Sequence, residues 1–552
     1  MDTWGDCGRR GRGALAAACA SLALLSGAAG AGAVDFEIVR PFLNPATPER
    51  ETTEVQRAPA DLQLAASERF AAGMVYLAAA VKPEMSPEAS PTEFDRGVFK
   101  SDPTYEDKPY DAAGQIEIYG GKFDIDEPRP VVEIGRPLYT EGPFGQGTDI
   151  IGEKNLFFEH LQIYGDWRTA IAYNDNGNVE KAVVATRLNL DVDIKLTATE
   201  RLHFFFRPVD DDGDFTRIEF AGDDTPQEFL RIDPTPETAF FEGDIGAIWA
   251  GITDEYNTLD LPVAIGQIPM IVQNGIWLED AFLGGAFAIP ALNSPALDIS
   301  NFDVTFFAGF DNVTTPAILE PNGDIADDDV SVYGVATFAE VFEGYLEAGY
   351  GYIDGRGAFD DLSYHTMTAA FTRRYGGWLS NSVRAIGNFG QDRDGGLDET
   401  AEGFIFLVEN SLITDLPLTL VPYFNAWVGY DRPAPLADND GLLKNTGINF
   451  ETDALTGFPK LDDSGQDTYG AALGVEYLFD LDQQIVVEVA GFKTIGDDNE
   501  PGRPAPGDQF AVGVRYQLPL DNQWILRADA MYGVLEEAPD IAGARVEIRV
   551  KF

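Results

Sequence analysis

The sequence predicts an all-β chain that forms a transmembrane antiparallel β-barrel of about 16 to 18 strands, preceded by a short, partly helical N-terminal segment. Three observations predict this class. Apolar and polar side chains alternate along many segments, short and long connections separate those segments, and the last strand ends on Phe552. Alternation with a period of two indicates a strand whose two faces meet different surroundings.

Charge and composition exclude several classes of protein. The 552 residues include 92 acidic and 38 basic side chains, a formal net charge of −54. Such a field repels nucleic acid, so we expect no nucleic-acid partner. Aromatic residues make up 12% of the chain, whereas disordered acidic chains are poor in them.

Residues 1–33 have the pattern of a secretory signal peptide: arginines, then an apolar run over 14–29, then small residues before the predicted cleavage site. Cleavage there removes both cysteines, Cys7 and Cys19, so we expect neither disulfides nor thiolate chemistry. It also removes two acids and three arginines, which leaves 90 acidic and 35 basic side chains, a net charge of −55. The alternative is a lipoprotein that is lipidated at Cys19.

Residues 34–113 form the predicted N-terminal segment, which is rich in proline and acid. One helix-like patch covers 62–81, and its part over 70–81 has too few residues to span a bilayer as a helix. It is either a plug or periplasmic contact, or an ordinary packed helix. The predicted barrel then occupies residues 114–552.

The clearest strand signal is the run over 188–198, where apolar residues alternate with polar or charged ones. A short turn over 199–201 leads into a second strand over 202–206, which makes a hairpin. The same pattern predicts strands over 161–173, 302–310, 330–338, 346–352, 381–389, 420–430, 469–479, 487–489, 510–518 and 524–532.

Three features favour a membrane barrel over a soluble secreted β-protein, which is the structural alternative. Many strands reach the 9–11 residues or so that a strand needs to cross a bilayer. The connections over 354–362, 392–403 and 431–467 are long, whereas others are short. Aromatic residues mark the ends of the apolar faces, as interfacial girdles do: Trp167, Tyr173, Tyr469, Tyr477, Phe479, Phe510, Tyr516, Trp524 and Tyr532.

The last residues carry the most specific signal. Val546, Ile548, Val550 and Phe552 alternate with charged residues, and the sequence stops on Phe552. This strand resembles the C-terminal assembly signal of Gram-negative outer-membrane β-barrel proteins of porin-like type. The resemblance implies recognition by the barrel-assembly machinery and a location in outer-membrane lipid, with no particular family identified.

Charged residues at the inward positions of the strands are predicted to line the pore. Both signs occur, so the wall could filter solutes by charge, or the charges could simply pair across strands. The candidates are Asp166, Arg168, Arg187, Asp191, Asp193, Lys195, Arg207, Glu476, Glu488, Arg515, Arg527, Asp529, Arg545, Glu547, Arg549 and Lys551.

The segment 261–287 departs from the alternating pattern and combines prolines and glycines with apolar residues. It is a candidate for a constriction loop folded into the lumen, with Glu279 and Asp280 as pore carboxylates. The alternative is an ordinary extracellular or interfacial loop.

Acidic clusters fall in loops, and the spacing of Asp438 and Asp440 is compatible with a calcium turn but lacks the bidentate glutamate of an EF-hand. Solvated acidic loops are the alternative. The three histidines His160, His203 and His365 are isolated and belong to no catalytic or haem motif. We therefore predict no enzyme activity, no cofactor and no metal site.

These features together predict a porin-like channel for the passive diffusion of small hydrophilic solutes or ions, with a cation preference suggested by the charge. One alternative is a dedicated barrel that exports an acidic polysaccharide or surrounds a periplasmic electron carrier. A TonB-dependent receptor fits less well, because it needs a larger plug and about 22 strands. The sequence leaves open the solute, the pore size and whether the chain forms a homo-oligomer.

Overall fold

The structure is a computed structural model, and it describes part of the chain. The described residues are 129–135, 147–158, 160–211, 213–221, 226–297, 299–413, 420–446, 449–450, 454–479, 483–497 and 503–552. The predicted signal peptide, the predicted N-terminal segment and the predicted boundary at residue 114 lie outside them.

The described residues contain 22 strands that join one antiparallel system, with one α-helix. The strands are β1 (Val132–Gly135), β2 (His160–Asp175), β3 (Glu180–Lys195), β4 (Arg201–Phe206), β5 (Asp210–Asp211), β6 (Asp214–Ala221), β7 (Gln227–Phe229), β8 (Pro236–Asp244), β9 (Pro262–Val272), β10 (Leu278–Ser294), β11 (Ile299–Asp311), β12 (Val330–Val341), β13 (Gly344–Gly355), β14 (Tyr364–Tyr375), β15 (Leu379–Phe389), β16 (Glu402–Leu412), β17 (Leu420–Arg432), β18 (Thr468–Phe479), β19 (Gln483–Thr494), β20 (Gln509–Pro519), β21 (Trp524–Leu535) and β22 (Ile541–Lys551). The helix α1 is Ile245–Thr253, and short 3-10 helices lie at Pro295–Leu297, Gly357–Leu362 and Asp394–Gly396. In the described part of the chain, no helix has the length and apolar character needed to cross a membrane.

The sheet closes on itself because β22 pairs with β2, in a register that runs from Asp166 opposite Lys551 to Asp175 opposite Ala542. Two positions of the wall are each filled by two short strands. The position next to β3 is filled by β4 along one half of β3 and by β6 along the other half. The following position is filled by β8, which pairs with β4, and by β7, which pairs with β6. The described strands therefore fill 18 positions of a closed barrel. This confirms the predicted all-β antiparallel barrel, at the upper limit of its predicted strand number.

The two ends of the barrel differ. One end, which we call the turn end, carries tight connections such as the two-residue turn of Phe342 and Glu343, whose φ angles are 56° and 57°. The opposite end, the loop end, carries the connections over 312–329, 356–363, 390–401 and 433–467. The connections predicted to be long all lie at the loop end, as expected for a porin-like barrel.

The two faces of the wall also differ. Apolar side chains on the outer face are exposed, as for Trp167, which is 52% exposed, and Ile171, which is 61% exposed. Their neighbours on the inner face, such as Asp166 and Ala170, are buried. Within the described residues the outward apolar side chains are left uncovered, whereas the inner face is covered by loops that fold into the lumen.

Candidate functional site

The connection between β17 and β18, residues 433–467, folds into the barrel, and we call it the lumen loop. Its apolar side chains are buried, including Leu436, Leu443 and Leu455. A connection of this length on a barrel exterior would leave such side chains in water. Their burial indicates that the loop packs against the inner wall.

One side of the lumen loop adds backbone bonds to the β9–β10 hairpin. The Leu436 N–H donates to the Trp277 carbonyl at 2.7 Å, and the Glu279 N–H donates to the Ala437 carbonyl at 2.9 Å. Leu278 and Ala437 form a parallel β-bridge. Backbone bonds of this kind fix the position of the loop without depending on particular side chains.

The same part of the lumen loop is bonded to side chains of β14 and β15. The Tyr364 hydroxyl donates to the Pro435 carbonyl at 3.1 Å. The Asn388 amide donates to the Ala434 carbonyl and accepts from the Ala434 N–H, both at 3.0 Å. Tyr364 and Asn388 are buried, so these bonds lie inside the barrel.

The far part of the lumen loop reaches a different region of the wall. The carbonyl oxygen of Phe450 accepts hydrogen bonds from Arg515 on β20, Arg527 on β21 and Arg545 on β22. On β2, the Asn174 amide donates to the Thr456 carbonyl at 2.7 Å. Strands β16 to β19 separate these anchors from β14 and β15, so the loop crosses the lumen.

The three arginines that bond Phe450 form a cluster around Asp529 of β21, which we call the arginine cluster. Asp529 accepts hydrogen bonds from Arg515 at 2.8 Å, from Arg527 at 3.0 Å and from Arg545 at 2.7 Å. The side chains of Asp529 and Arg545 are fully buried. Because three positive groups surround one carboxylate, this part of the wall keeps an excess of positive charge.

Two further ion pairs extend the polar wall along β2 and β22. Arg168 lies 2.8 Å from Glu547, and Arg549 lies 2.8 Å from Asp166. They join opposite signs across the seam where the barrel closes, so this part of the wall is close to neutral. Cross-strand pairs of this kind stabilise the sheet.

A cavity of about 570 Å³ lies in the wall next to this seam. Charged residues of both signs line it, together with the C-terminal residue and several polar groups. The lining residues are Pro130, His160, Gln162, Tyr164, Gly165, Asp166, Asp191, Asp193, Lys195, Arg201, Arg549, Lys551 and Phe552. This cavity therefore collects several of the predicted pore residues from β2, β3 and β22.

Most of the charges around this cavity are already paired. His203 Nδ1 lies 2.8 Å from Asp193, and its Nε2 lies 3.5 Å from Asp191. Tyr164 donates to Asp193 at 2.7 Å, and Arg201 lies 3.6 Å from the same carboxylate. His203 thus belongs to the polar wall and has a carboxylate partner on each side.

The remaining predicted pore residues also face polar partners. Arg187 donates to Asn189 at 2.8 Å, and Arg207 pairs with Glu237. Glu476 accepts from Gln484 at 2.5 Å, and Glu488 accepts from the Tyr423 hydroxyl at 2.6 Å. Many of the predicted pore charges are thus paired with other polar groups of the wall. That these charges also contact and filter a passing solute stays a prediction.

The prediction of a constriction loop over 261–287 was wrong. These residues form the hairpin of β9 and β10, with only a short turn at 273–277. Glu279 pairs with Lys444 at 2.7 Å, and Asp280 accepts from the backbone of Thr314 and Ala281. The strict alternation fails here because the inner face of the hairpin packs on the lumen loop and is apolar like the outer face.

The sequence of the lumen loop carries a signal for its position. Its length and acidic clusters predict a solvated loop, yet apolar residues recur along it: Pro433, Ala434, Pro435, Leu436, Ala437, Leu442, Leu443, Phe450, Leu455, Phe458 and Leu461. A solvated loop has no reason to keep so many apolar side chains. Their recurrence could have indicated a segment that folds into the barrel.

Lysines neutralise the acidic cluster that resembled a calcium turn. Lys444 lies 2.5 Å from Asp438, and Lys460 lies 2.8 Å from Asp440 and 2.6 Å from Asp463. Among the residues that the structure describes, no group of His, Cys, Asp or Glu has a metal-binding arrangement. The acids of the lumen loop therefore stabilise the loop itself through ion pairs.

The chain is similar to known proteins at the level of solved structures alone. No protein-family model matches the chain, and no curated protein matches it. Similar solved structures include OccK11 (OpdR) of Pseudomonas aeruginosa, with 10% identity and a TM-score of 0.46, covering 75% of this chain and 99% of that one. OccAB4 of Acinetobacter baumannii has 10% identity and a TM-score of 0.42, covering 71% of this chain and 98% of that one. The barrel assignment rests on the strand pairing and closure of this chain.

Proposed function

We propose that this protein is a channel of the Gram-negative outer membrane through which small hydrophilic solutes or ions diffuse passively, and that the lumen loop sets its narrowest part. The observation that carries the proposal is the loop itself, bonded to β10, β14 and β15 on one side and to β2 and β20 to β22 on the other. A segment held across a closed barrel at both ends restricts the passage of solutes.

The exterior of the barrel supports a membrane location. Large apolar side chains are exposed on the outer face of strands all around the wall, for example Phe406, Leu473, Val489 and Val512. A soluble protein rarely exposes apolar area on this scale, whereas a lipid-facing wall requires it. The predicted signal peptide and the resemblance of the strand over 546–552 to an outer-membrane assembly signal favour the outer membrane.

The inner wall supports diffusion of polar solutes. Charged side chains of both signs line the cavity near the seam and the region of the arginine cluster. Transport of this kind needs no catalytic step, because the polar wall replaces part of the hydration of the solute. The mixed signs of the cavity also favour small solutes over an acidic polysaccharide, which needs a basic lumen.

The sign of the selectivity stays a prediction. The total charge of the chain favours cations, and many of the acids lie in connections at the loop end. The arginine cluster acts in the opposite sense, because it places three positive charges and one negative charge beside the lumen loop. Ion selectivity therefore depends on which of these two charge sets a passing ion meets at the narrowest point.

Planar-bilayer recordings test the proposal. We expect discrete conductance steps from the purified full chain, and a reversal potential in a salt gradient that indicates cation preference. Folding is checked by the change of electrophoretic mobility that a folded barrel shows on heating. If folded protein gives no conductance steps, the protein is not a channel. Anion selectivity would contradict only the cation preference. A variant that lacks residues 34–110 tests whether the N-terminal segment blocks the lumen, since removing a plug raises the conductance.

A further inference from the structure

The helix α1 at the turn end has an unusual distribution of side chains. Its buried residues are the small ones, Gly246, Ala250 and Gly251, while its large apolar residues Trp249 and Ile252 are 57% and 64% exposed. A helix on a water-exposed surface shows the reverse arrangement, with its large apolar residues inside. The helix contains no charged residue.

The buried side of α1 is held at close range, so the exposed side chains cannot turn inward. A Cβ atom added to Gly251 would lie 2.9 Å from both Asn155 and Ile151, and one added to Gly246 would lie 1.8 Å from the Leu259 carbonyl. Asp244 caps the helix by accepting from the Ala247 N–H at 2.6 Å. The helix is therefore a fixed part of the barrel end.

Neighbouring segments extend the exposed apolar stripe. The segment 147–158 packs on Gly251, and the chain after α1 returns along Gly246, whose carbonyl accepts from Asn257 at 2.8 Å. Both contribute exposed apolar residues to what we call the turn-end patch: Ile150, Ile245, Trp249, Ile252, Tyr256 and Leu259. The patch follows directly on β8 and precedes β9, whose Ile265 is exposed on the outer face of the wall.

We propose that the turn-end patch lies in the boundary between headgroups and acyl chains of the phospholipid leaflet, so that α1 is an interfacial anchor of the barrel. This inference rests on the proposed membrane location. Continuity with the lipid-facing wall identifies the occupant, because α1 starts where the spanning strand β8 ends. Tryptophan and tyrosine are the aromatic residues that concentrate at this depth, and a short uncharged apolar helix fits a surface position better than a spanning one.

The chemistry favours a zwitterionic lipid over a strongly anionic one. Asp254, Glu255 and Asp260 follow the helix and are exposed, and they repel anionic headgroups. A basic group, Lys154, lies 4.8 Å from the ring centre of Tyr256 and can meet a lipid phosphate. Phosphatidylcholine is therefore the appropriate probe.

The test places an environment-sensitive fluorophore on single cysteines, in the full chain with Cys7→Ser and Cys19→Ser, in phosphatidylcholine vesicles. The sites are Trp249→Cys in the patch, Val512→Cys on the outer wall and Asp191→Cys in the lumen cavity. We expect lipids brominated in the upper acyl chain to quench the fluorophores at 249 and 512 but not at 191, and iodide in solution to quench 249 weakly.

The controls separate the possible failures. If the fluorophore at 512 is not quenched by brominated lipid, the barrel does not lie in the bilayer and the proposed function itself fails. If brominated lipid quenches the fluorophore at position 512, while the fluorophore at position 249 is quenched only by iodide, the patch lies in water and this inference is wrong. If neither reagent quenches 249, a protein segment or a second copy covers the patch, which also overturns the inference.

Discussion

The carbonyl oxygen of Phe450 in the lumen loop accepts a hydrogen bond from the guanidinium of Arg545 on β22 at 3.3 Å. The same guanidinium donates to Asp529 on β21 at 2.7 Å. One buried side chain thus holds together two neighbouring strands and the loop that crosses the lumen. The stability of the wall and the position of the loop are therefore coupled at this point.

Replacing Asp529 by leucine is expected to destabilise the barrel. The change leaves Arg515, Arg527 and Arg545 without their shared carboxylate, and breaking a buried ion pair in this way costs about 3–5 kcal/mol. Urea unfolding in detergent micelles measures the loss. Asp398→Asn is the control, because this exposed side chain lies 3.9 Å from its partner Arg432, and its loss should change the free energy of unfolding by less than about 1 kcal/mol. Equal losses in the two variants would contradict the assigned role of Asp529.

Gly543 on β22 permits the lumen loop to approach the wall. A Cβ atom there would lie 2.7 Å from the Phe458 ring and 2.8 Å from Pro459. Gly543→Val should therefore push this part of the loop away and increase both the conductance and its fluctuations. Val546→Ile, three residues along on the exposed outer face of β22, is the control. An unchanged conductance in Gly543→Val would show that the contact does not position the loop.

Asp462 of the lumen loop gives the channel a pH-dependent stability. Burial raises its pKa to about 6 from an ordinary value of 3.8, although a hydrogen bond from Ser464 opposes the shift. Between these values the folded state binds a proton that the unfolded state does not, so stability falls as the pH rises through this window.

The variant Asp462→Asn removes this titration. We expect it to be more stable than the natural chain at pH 7, by about 1–3 kcal/mol, and to show a smaller decrease in stability between about pH 4 and pH 6. Part of the decrease remains, because burial also raises the pKa of Asp438 in the lumen loop, to about 7. Unfolding in micelles at a series of pH values measures both effects. A variant that keeps the slope of the natural chain would show that another group is responsible.

Selectivity should respond to wall charges in opposite directions. Arg527→Gln removes a positive charge from the arginine cluster and should shift the reversal potential toward cations. Asp191→Asn removes a negative charge from the cavity near the seam and should shift it toward anions. Folding of each variant is checked by heat-modifiable mobility. Shifts of the same sign in both variants, or none in either, would contradict a conducting path along this wall.

The alternation of side chains predicted the barrel because lipid and the polar lumen impose opposite demands on the two faces of a strand. It served well for β3, β18, β20 and β21, where the inner face is polar. It was weakest at β9, β10 and β14, whose inner faces carry Ile268, Phe282 and Tyr364 and pack on loops within the lumen. The inner face there is buried in protein, so the contrast between the faces disappears.

The partners of the wall charges were beyond the reach of the sequence. The alternation of side chains along each strand indicates that Asp529 and Arg545 face inward. That they lie directly opposite each other depends on the register of β21 and β22. The bond from both strands to Phe450 depends on how a loop of 35 residues, 433–467, packs. Sequence patterns report local surroundings, whereas these contacts join residues far apart in the chain.

The most direct test of the lumen loop as the constriction is the single-channel conductance of a variant in which residues 440–462 are replaced by a short Gly-Ser linker. The control replaces residues 395–399, which are exposed at the loop end. We predict a several-fold higher conductance for the first variant and a natural value for the control. If the electrophoretic mobility of the first variant changes on heating as that of the natural chain does, but its conductance is no higher, the loop does not restrict the pore.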